Sequence, residues 1–430
     1  MKTYINPPKE SWNELLSRPA ISSKELVPAV TEIMETVKSQ GDKALRAYAQ
    51  KFDGFSSEKL EVTDLEFNQA FESIDGDLKL ALQQAAANIE RFHMDQLPKV
   101  VRTETMPGVN CWQKGVPINK IGLYIPGGTA PLFSTVLMLA IPAQIAQCPD
   151  ILICTPANNE GKINPAILYA AKLCGVSQVY KIGGAQAIAA MAYGTESIPR
   201  VDKIFGPGNQ YVTTAKQLAA SIGIAIDLPA GPSEVMVIAD DETPAAFAAA
   251  DLLSQAEHGT DSQVILLTQN EDKLREIESE TLKQLNSLPR KDIAAKALEN
   301  SRFICLSNYE QCIGFMNTYA PEHLILSVKN PTDWANRVTQ AGSVFLGNYT
   351  PESAGDYASG TNHTLPTNGY AKAYSGVNLD SYLKKITFQQ ISPDGLKAIG
   401  KSIEIMAAAE KLEGHKNAVS IRLTAINKKS

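Results

Sequence analysis

The amino-acid sequence predicts an α/β protein with two lobes, each a parallel sheet covered by helices. From residue 120 onward, short apolar runs typical of strands alternate with longer helical runs, which is the order of successive βαβ units. The 430-residue length exceeds what one core ordinarily holds, so two lobes with a cleft between them are expected. Small helical extensions are predicted at both ends of the chain.

The first 119 residues are predicted to be mainly helical and to pack with the second lobe. The run SSKELVPAVTEIMETVKSQG begins with a Ser/Glu capping pattern and ends at a glycine. A second run, DLKLALQQAAANIERFHMDQL, has the apolar spacing of an amphipathic helix. His93 lies in that run without a neighbouring ligand set, so we interpret it as a surface or packing residue.

Residues 120–232 are assigned to the first lobe. Its predicted strands are KIGLYIP, DILICTP, SQVYKIGG and VDKIFGPG, with helical runs after each of them. Glycine-rich turns at 124–131 and 205–212 follow two of these strands, and there backbone amides can approach a phosphate at a helix start. Neither turn matches GxGxxG, and tight βα turns need glycine for conformational reasons alone, so a nucleotide site stays open at this point.

Residues 233–378 are assigned to the second lobe, and residues 379–430 to a C-terminal tail. The predicted strands of this lobe are SEVMVIAD, SQVILLT, FICLS, HLILSV and SVFLGN, with helices between them. The tail is predicted to be helical and to pack elsewhere as an appendage.

Composition excludes several classes of protein. With 44% hydrophobic and 20% charged residues the chain is typical of a globular protein. The net charge of −6 and the lack of a long basic run argue against nucleic-acid binding. The most apolar window, 131–148, contains two prolines and two glutamines, which favours a buried helix over a membrane span. We see no secretory signal, and we expect a cytoplasmic protein without a membrane partner.

The six cysteines form no CxxC pair, which argues against a zinc ribbon, a thioredoxin-type site and a disulfide framework. Most lie within or beside apolar runs, so buried reduced thiols are the simpler interpretation. These residues are Cys111, Cys148, Cys154, Cys174, Cys305 and Cys312.

The stretch SQAEHG ends an alanine-rich helical run with an unusual group of polar residues. Helical spacing places Gln255 and His258 on one face, with Asp251 one turn earlier. An imidazole and an amide oxygen presented together can share a divalent metal, and such ligands suit zinc. The alternative is an exposed helix end closed by Gly259, where His258 offsets the helix dipole. Glu257 points off that face and has no assigned role.

Glu322 and His323 are adjacent at the predicted start of a strand. In a regular strand their side chains would face opposite ways, but Pro321 indicates an irregular start from which both can reach one pocket. A carboxylate and an imidazole can serve as general bases for two different protons. The alternative is a strand start with polar residues of no special role.

Two further segments carry the remaining polar candidates. The long Gly/Ser/Thr-rich segment 347–366 contains Glu352, Asp356 and His363, and is either an ordinary surface loop or a functional one. In the segment 407–419, Glu410 closes one helix, and His415 lies at the start of the next.

Together these segments resemble the histidinol dehydrogenase family. The motifs that carry the resemblance run from about residue 120 to 420 and are GLYIPGGTAPLFSTVLML, GGAQAIAA, VDKIFGPGN, IDLPAGPSEV, DLLSQAEHG, SQVILLT, PEHLI, AGSVFLG, PESAGDYASGTNH and HKNAV. The resemblance implies NAD-dependent, zinc-requiring oxidation of L-histidinol to L-histidine through L-histidinaldehyde. This reaction uses two hydride transfers at the end of histidine biosynthesis.

The resemblance also implies a fold and an assembly. Both lobes would be incomplete Rossmann-like domains, which accounts for the missing GxGxxG fingerprint. The protein would be an intertwined homodimer with shared active sites, in which the C-terminal tail contributes to the neighbouring subunit's site.

The roles of individual residues follow by motif from the same resemblance. The zinc ligands would be Gln255, His258, Asp356 and, from the neighbouring subunit, His415. The catalytic bases would be Glu322 and His323. The substrate contacts would be Ser233, Gln255, His258, His323, Asp356, Glu410 and His415. The NAD contacts would be Tyr124, Gln186 and Asn209.

Three other functions remain as alternatives on the sequence. A cysteine-dependent aldehyde dehydrogenase needs an activated thiol, and none of the six cysteines has a histidine within a few residues. A zinc hydrolase would use the same ligands without a nucleotide. A metal-binding role without catalysis would leave the adjacent Glu322 and His323 without a purpose.

Overall fold

The computed structural model describes residues 1–19, 23–55, 58–127, 131–229 and 231–428. The chain forms two compact units. The first comprises Met1–Gln96 and Ile118–Tyr382, and the second comprises Leu97–Pro117 and Leu383–Ser430. Among the described helices, none is both long enough and apolar enough for a membrane crossing.

The strands alternate with the helices for most of the chain. The strands are β1 (Lys2–Ile5), β2 (Arg102–Met106), β3 (Val109–Pro117), β4 (Lys120–Tyr124), β5 (Asp150–Thr155), β6 (Gln178–Lys181), β7 (Lys203–Phe205), β8 (Ala225–Ile226), β9 (Glu234–Ala239), β10 (Gln263–Thr268), β11 (Arg302–Cys305), β12 (His323–Ser327), β13 (Ser343–Leu346) and β14 (Leu383–Ile391).

The α-helices are α1 (Trp12–Leu15), α2 (Ser23–Gln40), α3 (Asp42–Tyr48), α4 (Asp64–Ser73), α5 (Gly76–Met94), α6 (Phe133–Ile145), α7 (Pro165–Leu173), α8 (Gly184–Tyr193), α9 (Gln210–Ser221), α10 (Ala245–Ala256), α11 (Glu271–Leu285), α12 (Lys291–Glu299), α13 (Tyr309–Tyr319), α14 (Pro331–Ala335), α15 (Glu352–Tyr357), α16 (Pro393–Ala409) and α17 (Glu413–Asn427). Short 3₁₀ segments cover Lys9–Ser11, Tyr370–Lys372 and Leu379–Tyr382, and a π-helical segment covers Ala49–Asp53.

The first unit contains a five-stranded parallel sheet in the order β6-β5-β4-β7-β8. Its earliest strand, β4, lies in the middle, so the chain leaves it first toward β5 and β6 and later returns on its other side as β7. This reversal opens a crevice at the carboxyl ends of β4 and β7, where ligands bind in open α/β sheets. Helix α6 is buried along almost its whole length, which explains the most apolar run of the sequence and confirms the predicted buried helix.

A six-stranded parallel sheet in the same unit has the order β1-β11-β10-β9-β12-β13. Without the edge strand β1, its order repeats that of the first sheet. Successive residues of β9 enter opposite cores: Val235 and Val237 pack on one face, and Met236 and Ile238 pack on the other. The parallel strands predicted in the two lobes are therefore all present.

The N-terminal region differs in part from its prediction. Strand β1 pairs with β11, and Trp12 and Leu15 enter the core of the six-stranded sheet. Helices α2, α4 and α5 instead contact α6, α7, α8 and α9 beside the five-stranded sheet. The reason is that α2 presents the buried side chains of Val30, Met34 and Val37 to the alanine-rich surfaces of α8 and α9.

The second unit contains an antiparallel sheet in the order β14-β3-β2, followed by the contacting helices α16 and α17. The prediction of a helical tail was wrong for Leu383–Ile391, which forms β14 along the whole of β3. The pairing explains this difference, because Phe388 lies opposite Trp112 and the two rings stack at 5.4 Å. Strand β2 likewise occupies part of the region predicted to be helical.

Candidate active site

The polar candidates of the second lobe meet at the amino edge of the six-stranded sheet. Glu322 and His323 stand at the start of β12, beside the start of β9, which Ser233 directly precedes. Helix α10 brings Gln255 back to this edge, and α15 brings Asp356. The site therefore lies opposite the carboxyl edge at which parallel sheets usually bind ligands.

An irregular chain path places both members of the Glu322–His323 pair on one side. Helix α13 is capped by Ala320, which lies in the left-handed region with φ of 55°, and Pro321 precedes the pair. Glu322 Oε2 and His323 Nδ1 lie 3.7 Å apart, and both residues are buried, with 6% and 4% of their surface exposed. The two side chains can therefore act on the same small ligand.

The backbone of Glu234 holds this pair. Its N–H donates to Glu322 Oε2 at 3.0 Å, and its carbonyl oxygen accepts from His323 Nδ1 at 3.3 Å. Because Nδ1 carries the proton in that bond, Nε2 is the basic nitrogen when the ring is neutral. Nε2 is 3.5 Å from Asp356 Oδ1 and is buried without a hydrogen-bond partner among the described residues.

Glu352 and Asp356 bring two more carboxylates to the pair. Glu352 Oε1 is 3.6 Å from His323 Nδ1, and the donor atoms of His323, Glu352 and Asp356 all lie within 4.8 Å of one another. In the amide orientation that satisfies both neighbours, Gln255 accepts from the Glu234 N–H at 2.9 Å and donates to Glu352. The closest group of metal-binding atoms thus contains Asp356 from the expected ligand set, together with two residues outside that set.

Burial and neighbouring charges together set the protonation of this cluster. Burial raises the pKa of Glu322 to about 8, and it raises the pKa of Glu352 well above its ordinary value, assisted by Asp356 and Glu322. Burial lowers the pKa of His323, but the charges of Glu352, Glu322 and Asp356 outweigh it and raise that pKa well above its ordinary value. Burial acts to raise the pKa of Asp356, but the charge of the nearby His323 ring keeps that pKa below its ordinary value.

The same atoms test whether a divalent cation fits. Glu352 Oε2, like His323 Nε2, is buried and lacks a hydrogen-bond partner within the described chain. Two unsatisfied donor atoms among nitrogen and oxygen ligands, in a region with more carboxylates than cations, match what zinc requires. The described residues therefore fit the metal.

His258 and His363 border the cluster. Helix α10 ends at Ala256, so exposed His258 lies in the turn just beyond the predicted helix end. Enough protein surrounds its ring to lower the imidazole pKa by desolvation, while the charge of Asp356 acts in the opposite direction. The His363 ring forms two hydrogen bonds, one between Nδ1 and the Asp356 carbonyl oxygen at 2.9 Å and one between Nε2 and Thr135 Oγ1 at 3.0 Å. His363 therefore connects the α15 segment to α6.

The expected NAD contacts lie together at the carboxyl edge of the five-stranded sheet. Tyr124 ends β4, and its hydroxyl accepts from the Gly184 N–H at 3.1 Å. Gln186 is buried in the first turn of α8, and Asn209 caps α9 by accepting from two backbone N–H groups. Gly206 has φ of 125°, and a Cβ there would lie 2.0 Å from the Tyr124 carbonyl oxygen. The 124–131 turn lies partly outside the described residues.

The remaining candidates belong to the second unit. Glu410 is the residue at which α16 ends, and His415 lies in the first turn of α17. Both side chains are exposed.

The cysteines do not form an activated thiol site. Burial raises the pKa of both Cys174 and Cys312 to about 12, and it raises the pKa of Cys154 further. Cys111 is half-buried, and none of the six, all within the described residues, forms a disulfide. These environments disfavour the cysteine-dependent alternative. His93 is fully buried and its Nδ1 bonds the Ile89 carbonyl at 2.8 Å, so it is a packing residue.

Sequence reasoning missed Glu234 and Glu352 as parts of this site. Glu234 was visible as a single charge at the start of the apolar run SEVMVIAD, where it is 2% exposed. A buried charge in a strand needs partners, and that signal could have identified it. Glu352 was noted in its loop, but the spacing PESAGD places it one helical turn before Asp356, which could have joined the two.

Comparison with known proteins gives matches over nearly the whole chain. The model of the histidinol dehydrogenase family matches residues 16–423. A histidinol dehydrogenase from Bacteroides thetaiotaomicron is 58% identical over 426 residues, which cover 99% of this chain and 100% of that protein. The crystal structure of histidinol dehydrogenase from Elizabethkingia anophelis is 56% identical, with a TM-score of 0.97 over 99% of both chains.

A more distant structural likeness concerns the fold alone. An acetylating aldehyde dehydrogenase from Geobacillus thermoglucosidasius is 14% identical, with a TM-score of 0.50 over 88% of this chain and 94% of that one.

Proposed function

The chain belongs to the histidinol dehydrogenase family, and on that premise we propose that it oxidises L-histidinol to L-histidine through L-histidinaldehyde, with NAD as oxidant and zinc at the site. One observation carries this proposal. Glu322 and His323, a carboxylate and an imidazole of different basicity, are buried side by side and fixed by the backbone of Glu234.

His323 is the base for the first oxidation. Its Nδ1 is engaged with the Glu234 carbonyl, so Nε2 is the atom that accepts the hydroxyl proton as hydride leaves the neighbouring carbon. When bound, NAD supplies the hydride acceptor, and zinc supplies positive charge that orients the substrate's nitrogen atoms and offsets the carboxylates around His323. Glu322 and His323 are themselves buried, so solvent has little access to the two bases.

Glu322 is the base for the second oxidation. An aldehyde must add water before a second hydride can leave, and that water needs a base. Burial raises the pKa of Glu322 to about 8, which makes its carboxylate a stronger base than an exposed one. Glu322 Oε2 accepts a hydrogen bond from the Glu234 N–H and is held by it. The other oxygen, Oε1, is therefore the atom that takes the proton of water.

The zinc ligands proposed from the resemblance are Gln255, His258, Asp356 and the neighbouring subunit's His415. Support comes from Asp356, which belongs to the group of donor atoms with His323 and Glu352. Further support comes from His258, because the charge of Asp356 acts on its ring. Ser233 directly before β9 and Glu410 would join these ligands and His323 in contacting substrate. The homodimer is part of the proposal because the ligand set includes His415 of a neighbouring subunit. His415 is exposed in its own chain, as a residue that serves another subunit would be.

The NAD site is proposed at Tyr124, Gln186 and Asn209. Support comes from the strand order of the five-stranded sheet, which is that of a Rossmann-like sheet without its sixth strand. The start of α9, the positive end of that helix, lies beside the Gly206 turn at the carboxyl end of β7, which suits a pyrophosphate.

Metal removal tests the proposal. Zinc-replete protein should form NADH when histidinol is added, chelation should abolish that reaction, and returned zinc should restore it. A protein that forms no histidinol-dependent NADH when zinc-replete contradicts the proposed function, and one that keeps full activity after chelation contradicts the role of zinc.

A further inference from the structure

Glu234 connects the catalytic pair to a second polar cluster. Its backbone N–H and carbonyl oxygen contact Glu322 and His323, as described above. Its carboxylate contacts neither; it is bonded to Arg18 and Tyr319. One residue at the start of β9 therefore joins the active site to groups from distant parts of the chain.

Arg18 and Tyr319 both form hydrogen bonds with the Glu234 carboxylate. Arg18 Nη2 donates to Oε1 at 3.0 Å, and its Nε donates to Oε2. The Tyr319 hydroxyl lies 3.0 Å from Oε2 and 2.8 Å from Gln263 Oε1. Arg18 Nη2 also donates to the Tyr319 carbonyl at 2.7 Å, and its guanidinium lies 3.8 Å over the tyrosine ring. The carboxylate has little freedom to rotate or shift.

Stability alone does not account for this arrangement. Glu234 is 2% exposed and Tyr319 is fully buried, and apolar side chains of similar size often give equal or greater stability than a buried ion pair. The forked contact of arginine with a carboxylate instead adds geometric definition. A shift of Glu234 by a fraction of an ångström would move both hydrogen bonds that orient the catalytic pair, and such shifts reduce rates strongly.

We propose that Arg18 and Tyr319 are positioning residues of the active site, which hold Glu234 so that its backbone fixes Glu322 and His323 in reacting geometry. This inference rests on the proposed function of that pair. Within the described chain both side chains are bonded to Glu234 and not to Glu322 or His323, so we expect their loss to lower the rate of reaction rather than to weaken substrate binding.

Tyr319→Phe and Arg18→Lys test the inference in the full-length, zinc-replete protein. Tyr319→Phe removes only the hydroxyl and should lower kcat about fivefold, the value of one lost hydrogen bond. Arg18→Lys keeps the positive charge but loses the bidentate contact with the Glu234 carboxylate, and should lower kcat by about tenfold. In both variants the KM for histidinol and the zinc content should stay close to those of the unmodified protein.

Tyr382→Phe is the matched control, because the Tyr382 hydroxyl is also buried but has no hydrogen-bond partner among the described residues. It should leave kcat unchanged. Unaltered kcat in Tyr319→Phe, or a fall in thermal stability with kcat preserved, overturns the positioning role while leaving the function intact. If neither the unmodified protein nor Tyr382→Phe forms histidinol-dependent NADH, the proposed function fails and the inference fails with it.

Discussion

Glu322 and His323 are suited to different protons because their surroundings differ. Burial dominates the first and raises its pKa to about 8, whereas the charges of Glu352 and Glu322 dominate the second and raise its pKa. The PEHLI motif identified this pair in the sequence. It could not reveal Glu234 as their common support, because Glu234 is held by Arg18 from 216 residues away. Contacts between such distant residues depend on the completed fold and leave no local pattern.

Glu322→Gln tests the division of roles between the two bases. Gln keeps the size of the side chain but cannot take a proton from water. We expect oxidation of supplied histidinaldehyde to fall on the order of a hundredfold, and the first oxidation of histidinol to fall less. Single-turnover measurements with each substrate compare the two steps, and Glu310→Gln, at an exposed ion pair, is the control. A larger loss in the first step contradicts the assignment.

Asp53 gives a pH-dependent prediction outside the active site. Burial raises its pKa from 3.8 to about 6. Because the folded state then binds the proton more tightly than the unfolded state, ionisation of Asp53 opposes folding as the pH rises from 4 to 6. Asp53→Asn should therefore raise the melting temperature by about 2 °C at pH 8 and leave it unchanged at pH 4.

The check is a pair of thermal unfolding curves at the two pH values. Glu72→Gln, at an exposed carboxylate, should show no difference from the unmodified protein at either pH. A gain for Asp53→Asn that is equal at pH 4 and pH 8 contradicts the electrostatic explanation.

At the scale of elements, the parallel strands and covering helices of both lobes were predictable because hydrophobic periodicity is local. The edge strands β1, β2, β8 and β14 were not. Each lies at the edge of a sheet, where one side lacks a strand neighbour, so its apolar pattern is weak. Strand β14 is largely exposed along its length, and only its partner β3 defines it. Partners so far apart in sequence are not visible in a local window.

Asn209 caps the start of α9 and belongs to the proposed NAD site, so its substitution should affect both stability and NAD binding. Asn209 accepts from the Tyr211 and Val212 N–H groups at 3.1 Å, and Asp can form the same cap. Asn209→Ala should lose about 1 kcal/mol of stability and raise the KM for NAD. Asn209→Asp should keep the stability but raise that KM several-fold, because its charge repels the pyrophosphate. Equal NAD KM values in Asn209→Asp and the unmodified protein contradict the proposed NAD site.

At the scale of the whole molecule, the proposed site needs a residue from a second chain. The sequence motif indicated His415 for this role, and its exposure in the second unit supports the proposal. His258→Ala and His415→Ala should each lower zinc content and activity together, because each removes a proposed zinc ligand. Full zinc retention in both variants contradicts the ligand assignment.

Subunit mixing tests the shared site. In a randomly exchanged mixture of His258→Ala and His415→Ala, half of the dimers are hybrids and one of their two sites is intact, so activity should recover to about a quarter of the unmodified value. A mixture of His258→Ala with Glu322→Gln is the control and should recover nothing, because both residues serve the site of their own chain. No recovery in the first mixture, with exchange verified, contradicts a shared site.

The proposed four-electron oxidation is measured most directly by the amount of NADH formed per histidinol consumed under limiting histidinol, with the product identified. Two proposed bases at one buried site predict two NADH for each histidinol and L-histidine as the product. One NADH per histidinol with accumulated histidinaldehyde, or no NADH at all, would contradict the proposed function.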